Sequence, residues 1–69
     1  MPYRKVARRL AEFGFAPVGQ TGSHVRFAHS DGRSVVVPHH AREELDRWLL
    51  MKIVKAAKID ADEFFAAFR

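Results

Sequence analysis

The chain has 69 residues, of which 48% are hydrophobic and 29% charged, and its formal net charge is +4. This length predicts a single domain over residues 1–69 with one modest core, and the composition excludes an intrinsically disordered chain. The absence of cysteine excludes disulfides and thiolate sites. Because we find neither a membrane-spanning apolar run nor a signal-peptide core, we expect a cytoplasmic protein.

The positive charge is concentrated in the N-terminal part of the chain. Residues 1–42 contain seven lysines and arginines against two acidic residues, whereas residues 43–69 contain five basic and six acidic residues. A basic surface of this kind attracts a phosphate polymer such as RNA. It also favours solubility, and charge alone does not decide between these two interpretations.

The first predicted element is a helix that begins at Tyr3. Apolar residues recur at Val6, Leu10 and Phe13, which is helical spacing, and Gly14 follows as the residue that ends the helix. The opposite face carries a set of mostly basic residues: Lys5, Arg8, Arg9 and Glu12. This face predicts either a solvated surface or a contact with an RNA backbone.

Residues 15–20 predict a first strand with Phe15 and Val18 buried. Pro17 lacks a backbone N–H, so it favours an edge strand or a bulge. Thr21-Gly22-Ser23 predicts a turn, in which Gly22 adopts a positive φ angle.

Residues 24–29 and 34–37 predict two further strands, joined by a loop of three residues, Ser30 to Gly32. This loop length sets Phe27 opposite Val35 and Val25 opposite Val37, so that all four share one buried face. A two-residue loop would turn the two valines to the other face, which is why we favour the longer loop with Gly32 as the bulge residue. The open face then carries His24, Arg26, Ala28, Ser34 and Val36.

Pro38 ends the third strand, and a long helix is predicted from about Arg42 to Ala57. Its apolar stripe consists of Leu45, Leu49, Ile53 and Ala56, with Trp48 beside it. Lys58 interrupts the pattern, and Asp60 with Glu63 then predicts a capped final helix that carries Phe64, Phe65 and Phe68. The fold class is therefore α+β: a helix, a three-stranded antiparallel sheet with one open face, a helix and a short C-terminal helix.

Three motifs combine within this frame: Gly22-Ser23-His24, the strand end Val37-Pro38-x-His40, and the tail Ile59-Asp60-x-x-Glu63-Phe64. Together they resemble the HicA family of bacterial toxins, which are messenger-RNA interferases paired with HicB antitoxins. The element order is similar to that of a double-stranded-RNA-binding domain, and the resemblance covers nearly the whole chain. The chain departs from the family pattern at Trp48-Leu49-Leu50, where a Gly-Thr pair followed by leucine is frequent, and at Lys58, where glycine is common.

The resemblance implies an endoribonuclease that is the toxin of a type II toxin–antitoxin system and cleaves messenger RNA. It implies that His24 is the catalytic general acid or base and that a HicB-like antitoxin covers it. We expect no metal and no cofactor, because the histidines lack the spacing of a metal site. A homodimer within the toxin–antitoxin complex is also expected.

Other residues around His24 are candidates for supporting roles. Arg26 lies two residues along the same strand face and is positioned to clamp a phosphate. Because His24 lies nearly opposite Pro38 in this register, His39 or His40 comes within reach of it, and His40 fits the family pattern. The remaining predicted phosphate-binding residues are those of the first helix: Arg4, Lys5, Arg8 and Arg9. Gly22 and Ser23 are auxiliary residues that shape the turn.

Each of these candidates also has a simpler interpretation. His24 could satisfy a backbone carbonyl at the start of a strand, and His40 could cap the following helix or belong to a turn. Three functions therefore stay open: a ribonuclease, a non-catalytic RNA-binding module with the same basic surface, and an interaction subunit whose main ligand is an acidic antitoxin.

Overall fold

The computed structural model describes residues 1–39 and 44–68. Its elements in chain order are α1 (Tyr3–Glu12), β1 (Phe15–Thr21), β2 (His24–His29), β3 (Ser34–Pro38), α2 (Arg47–Ala56) and α3 (Ala61–Ala66). The predicted α+β order is confirmed, and it matches the architecture of a double-stranded-RNA-binding domain. Within the described ranges, no helix has the length and apolarity needed to cross a membrane.

The first helix forms as the periodicity predicts. Val6 and Leu10 are fully buried, and Phe13 packs against the core from the C-cap position. Gly14 follows with a φ angle of 91°, a conformation that costs glycine little because it has no Cβ. The helix therefore ends where a residue able to reverse the chain is available.

The sheet has the order β1-β2-β3, and both strand pairs are antiparallel. Pro17 lies in the edge strand β1, and the pairing with β2 shifts between Pro17 and Gly19, so the predicted edge position and bulge are both confirmed. The predicted burial of Val18 is wrong, since its side chain is 53% exposed. Val18 lies three residues after Phe15, so alternation turns it to the opposite face, and the bulge leaves it without a paired residue on β2.

The predicted register of the central hairpin is confirmed. Val25 pairs with Val37 and Phe27 pairs with Val35, and all four side chains are buried. The Gly32 N–H donates to the His29 carbonyl (3.0 Å), and Gly32 has a φ angle of 99°. These features close the three-residue loop with a glycine bulge.

The second long helix begins later than predicted. It begins at Arg47, because the Asp46 carboxylate accepts a hydrogen bond from the Leu49 N–H (2.8 Å) and caps the helix. Leu45 precedes the helix in extended chain, where its N–H donates to the Met1 carbonyl (2.8 Å). The predicted start near Arg42 lies outside the described residues.

The buried face of α2 is also rotated from the predicted stripe. Leu50, Ile53 and Val54 are buried together with Ala57 after the helix, whereas Ala56 is exposed. Leu45 is buried as expected, although it does not belong to the helix. The buried residues follow i, i+3, i+4, i+7 spacing from Leu50, and the predicted stripe differs because it was counted from Leu45 as a helical residue.

The predicted break at Lys58 is confirmed, with a φ angle of 56° that is the sole positive value among the non-glycine residues described. The Arg33 guanidinium reaches across from the hairpin and donates to the carbonyls of Ala57 (2.8 Å) and Lys58 (3.3 Å). Arg33 therefore binds carbonyls at the C-terminal end of α2, which have no partner within the helix.

The final helix begins at the predicted cap. The Asp60 carboxylate accepts a hydrogen bond from the Glu63 N–H (3.0 Å), and Phe64 is fully buried. Buried residues from β1, β2, β3, α1, α2 and α3 form one hydrophobic cluster. The strand residues in that cluster all lie on one sheet face, so the other face is left open.

Candidate active site on the open sheet face

The open face consists of residues paired across the three strands. Ala16, Ala28 and Ser34 form the first row, Gly19, Arg26 and Val36 the second, and Thr21, His24 and Pro38 the third. The strands alternate strictly across β2 and β3, which buries Val25 and turns its neighbours His24 and Arg26 outward. The predicted placement of both residues on the open face is confirmed.

A shallow depression of about 420 Å³ lies over the second and third rows. It is lined by Gly19, Gln20, Thr21, His24, Arg26 and Val36. His24 and Arg26 are the ionisable groups of this lining, and Gly19 contributes no side chain beside Arg26. The depression therefore presents an imidazole and a guanidinium to an approaching ligand, with neutral groups around them.

Two hydrogen bonds from neighbouring segments stabilise the turn before His24. Gly22 has a φ angle of 58°, as predicted, and its carbonyl accepts a hydrogen bond from the Gln20 side-chain amide (3.0 Å). The carbonyl of Ser23 accepts a hydrogen bond from the His39 N–H. These bonds connect the turn to β1 on one side and to the end of β3 on the other, so they fix the position from which His24 emerges.

The side chain of His39 does not join His24. Its ring stacks on Tyr3 of α1 with 3.8 Å between centroids and 7° between planes, and Tyr3 in turn lies 6.3 Å from the buried Phe27 ring. His39 follows Pro38, the residue opposite His24, and alternation turns it towards the helix-covered side of the sheet. The expectation that His39 reaches His24 is therefore wrong, and His40 lies outside the described residues.

The basic residues of α1 divide into two groups. Arg4, Lys5 and Arg8 are exposed, and Lys5 and Arg8 line a groove against the C-terminal end of the chain near Phe68. That groove shares no residue with the depression at His24. The structure therefore does not gather the α1 cations around the histidine.

Arg9 belongs to the second group, because its guanidinium is already engaged. Nε donates to the Phe64 carbonyl (2.9 Å), Nη2 donates to the Glu63 carbonyl, and Nη1 donates to Glu12 (3.0 Å). Its side chain is only 17% exposed. The structure thus places Arg9 as a connection between α1 and α3, and its assignment to the phosphate-binding set stays a prediction.

Three residues of the depression were missed in the sequence. Gly19 and Thr21 lie opposite Arg26 and His24, and Gln20 braces the turn. Pairing β1 with β2 would have identified Thr21, but the bulge hides the pairing of Gly19. Among residues 1–39 and 44–68, no three histidine or acidic side chains lie together as ligands for a metal ion.

The comparison with protein families assigns the sequence of this chain to a known group. A family model described as the HicA toxin of bacterial toxin–antitoxin systems matches residues 3–59, which include α1, the whole sheet and α2. No curated protein sequence matches the chain closely enough to count as a relative. Since the family model covers most of the chain, from Tyr3 to Ile59, this protein belongs to the HicA toxin family.

Proposed function

We propose that this protein is an endoribonuclease that cleaves messenger RNA without a metal, with His24 as its general acid or base. HicA toxins are mRNA interferases, and the chain belongs to their family. The observation that carries the proposal is the exposed position of His24 beside Arg26 in the depression of the open face. A histidine ring exchanges protons near neutral pH, and a guanidinium pairs with phosphate oxygens.

The reaction that this pair supports is internal transesterification of RNA. The 2′-oxygen forms a bond to the adjacent phosphorus and the bond from phosphorus to the 5′-oxygen breaks, which leaves a cyclic phosphate and a free 5′-hydroxyl. One proton leaves the 2′-hydroxyl and one reaches the 5′-oxygen. His24 supplies one of these transfers, and Arg26 stabilises the negative charge on the transferring phosphoryl group. His40 stays our prediction for the second transfer.

The exposed cations of α1 have a separate part in this proposal. Because Lys5 and Arg8 line a groove that shares no residue with the His24 depression, we expect a short RNA seated at His24 to make no contact with them. A longer strand that passes around the domain gains their charge, together with that of Arg4. Their removal is therefore expected to weaken the binding of long RNA and to leave cleavage of a short oligonucleotide nearly unchanged.

The direct test compares the wild-type chain with His24→Ala on RNA in the presence of EDTA. Loss of a proton-transfer group is expected to slow cleavage by about 10²–10⁴-fold. Circular dichroism spectra of the two proteins should coincide, since His24 is exposed and makes no core contact. Equal cleavage by the two proteins would remove His24 from the mechanism, and cleavage that stops in EDTA would refute a metal-free reaction.

A second function is favoured by one observation. His24 is the one histidine among the residues that line the described depression, whereas the reaction needs two proton transfers. A non-catalytic RNA-binding module would use the same surface with no second group. It predicts RNA binding that weakens steeply with salt and no strand scission, and a salt slope near zero would count against it.

The proposal includes an antitoxin that covers the depression. HicA toxins pair with HicB antitoxins, and an acidic surface is the complement of His24 and Arg26. Addition of the antitoxin is expected to stop RNA cleavage by occupying this site. Competition between antitoxin and a short RNA oligonucleotide for the His24→Ala chain would test the shared site, and simultaneous binding of the two would contradict it.

A further inference from the structure

An exposed apolar surface lies on the helices, away from the open sheet face. We call it the helical patch, and it consists of Trp48, Met51, Ile59, Ala61, Phe65 and Phe68. Trp48 is 81% exposed and Met51 42% exposed. Two adjoining depressions meet at Met51 and Ala61, so the patch is one continuous concave surface between α2 and α3.

The patch is more than the ordinary apolar part of a protein surface. Helix α2 already buries Leu50, Ile53 and Val54 against the core, yet its outer side carries Trp48 and Met51. A helix that is apolar on two sides is normally covered on both. Exposed apolar surface with a polar border marks interaction sites, and tryptophan is among the residues that contribute most to binding there.

The charges around the patch indicate the chemistry of the partner. Lys52 and Lys55 border the depression at Trp48. Arg47 and Asp62 border the one at Phe65, and Asp62 is the one carboxylate among the residues that line the two described depressions. A partner with apolar residues flanked by carboxylates complements this arrangement. A second copy of the chain would bring like cations together and carries a net charge of +4 itself.

We propose that the helical patch binds an acidic amphipathic segment of the antitoxin, in addition to the contact at His24. This inference rests on the proposed toxin–antitoxin pairing but not on the chemistry of His24. The antitoxin source is favoured over RNA because the surface between the cations is apolar, with Trp48, Met51 and Ile59 at one depression. An RNA strand requires cations spaced along its backbone instead.

The position of the helical patch separates binding of the antitoxin from inhibition of RNA cleavage. The helices that form it lie over the buried sheet face, while His24 and Arg26 lie on the opposite face. A segment seated at Trp48 therefore leaves the depression at His24 open. Antitoxin variants that lack the part covering His24 should still bind the chain. Toxin variants in the helical patch should cleave RNA at the wild-type rate, but they should stay active at antitoxin concentrations that inhibit the wild-type chain.

The sharpest test uses Trp48, the one tryptophan of the chain, as its own reporter. The full His24→Ala chain is labelled with 5-fluorotryptophan and titrated with its purified HicB-family antitoxin. The single ¹⁹F resonance is expected to shift, and Met51→Ser is expected to weaken binding by about 30-fold, the effect of losing a central interface contact. Thermal melts check that Met51→Ser remains folded, since Met51 is partly exposed.

A charge-matched pair of variants distinguishes the patch from a long-range field. Lys52→Glu changes the net charge by the same amount as Arg4→Glu on α1, and Arg4 is an exposed residue that lines neither depression of the patch. Lys52→Glu is expected to weaken antitoxin binding at least tenfold more than Arg4→Glu. Equal losses for the two variants would overturn the proposal, because they would show an effect of total charge and not of the patch.

The remaining outcomes are equally decisive. Tight antitoxin binding with an unchanged Trp48 resonance would overturn the patch proposal and leave the proposed toxin function standing. Failure of the antitoxin to bind the wild-type chain at all would defeat the toxin–antitoxin pairing itself. A resonance that shifts with RNA alone would assign the patch to RNA, and one that shifts with protein concentration alone would assign it to a second copy of the chain.

Discussion

Arg9 provides a quantitative test of the contact between the first and last helices. Its Nε donates to Phe64 (2.9 Å), Nη2 donates to the carbonyl of Glu63, and Nη1 donates to Glu12 (3.0 Å). The guanidinium also lies 4.8 Å from the ring centroid of Phe13. Replacement by lysine keeps the charge but cannot reproduce the planar fork, so Arg9→Lys isolates the geometry of the contact.

The expected loss follows from the number of bonds that lysine cannot make. A single ammonium on a flexible stem replaces one of the two bonds to carbonyls near the end of α3, and a hydrogen bond from a charged donor contributes about 1.5–3 kcal/mol. Because Arg9 is partly exposed, we take the lower part of this range and expect a loss of about 2 kcal/mol in the free energy of unfolding. A domain of this size loses about 4–8 °C in Tm per kcal/mol, so Tm should fall by roughly 8–16 °C.

The assay is a thermal melt followed by circular dichroism, with Arg8→Lys as the matched control. Arg8 is exposed on the neighbouring position of α1, and its replacement should change stability by less than about 0.5 kcal/mol. The salt dependence of RNA binding should be the same for both variants, because both keep the positive charge. Equal melting temperatures for Arg9→Lys and Arg8→Lys would refute the structural role of Arg9 and leave its predicted role in phosphate binding.

Three further predictions concern the helix end, the hairpin loop and the turn before His24. Lys58→Gly should raise the free energy of unfolding by up to about 1 kcal/mol in chemical denaturation, because glycine adopts a positive φ angle without strain, whereas Lys58→Ala should not. The backbone N–H of Arg33 donates to the Asp31 carboxylate and lowers the pKa of that carboxyl below 3.8. The ionised carboxylate therefore stabilises the folded chain above this pH, and the stabilisation is lost as the pH falls through the lowered pKa. The melting temperature of Asp31→Asn should therefore be lower than that of the wild-type chain at neutral pH. The two melting temperatures should become equal in strong acid. The Tyr3 ring stacks on His39, whose N–H donates to the Ser23 carbonyl in the turn before His24. Tyr3→Ala should therefore lower the single-turnover RNA cleavage rate by roughly tenfold without changing RNA affinity, because it removes a contact that positions His24. Tyr3→Phe keeps the ring and should keep the wild-type rate.

The central hairpin was predictable because its determinants are local. Val25 and Phe27 alternate with polar residues, and Val35 and Val37 continue the same pattern after a loop with a glycine at its end. Burying both pairs on one face permits a single register, and a slip of one residue in β3 would turn Val35 and Val37 to the open face. The outward position of His24 follows from that register without any further information.

The beginning of α2 was not predictable from periodicity, because Leu45 fits the core in two ways. It continues the helical spacing of the residues after it, yet in the structure it is buried in extended chain paired with Met1. Only the Asp46 carboxylate distinguishes the two cases, through its bond to the Leu49 N–H. A search for capping residues inside the predicted helix would have found this signal.

The role of Arg9 could not be read from the chain, because its partners lie 54 and 55 residues away. The periodicity of α1 assigns Arg9 to the polar face of that helix. Part of this face contacts α3 in the structure, and the spacing within α1 does not indicate that contact. The error at His39 is of a different kind. Extending strict alternation by one residue past Pro38 would have placed the His39 ring on the side of Tyr3, away from His24.

One sheet face packs in the core and stabilises the fold, whereas the other carries the residues of the proposed activity. Mutations can therefore test the activity without unfolding the chain. Val25 and Phe27 are buried in the core, whereas His24 and Arg26, one residue away on the same strand, contact no buried cluster. Truncating Phe27 to alanine should cost about 3–5 kcal/mol, enough to unfold much of so small a domain. Changes at His24 or Arg26 remove a charged or proton-transferring group from a solvated face and leave the core intact. A loss of toxicity at these two positions with an unchanged melting temperature can therefore be assigned to the open sheet face and not to a loss of folding.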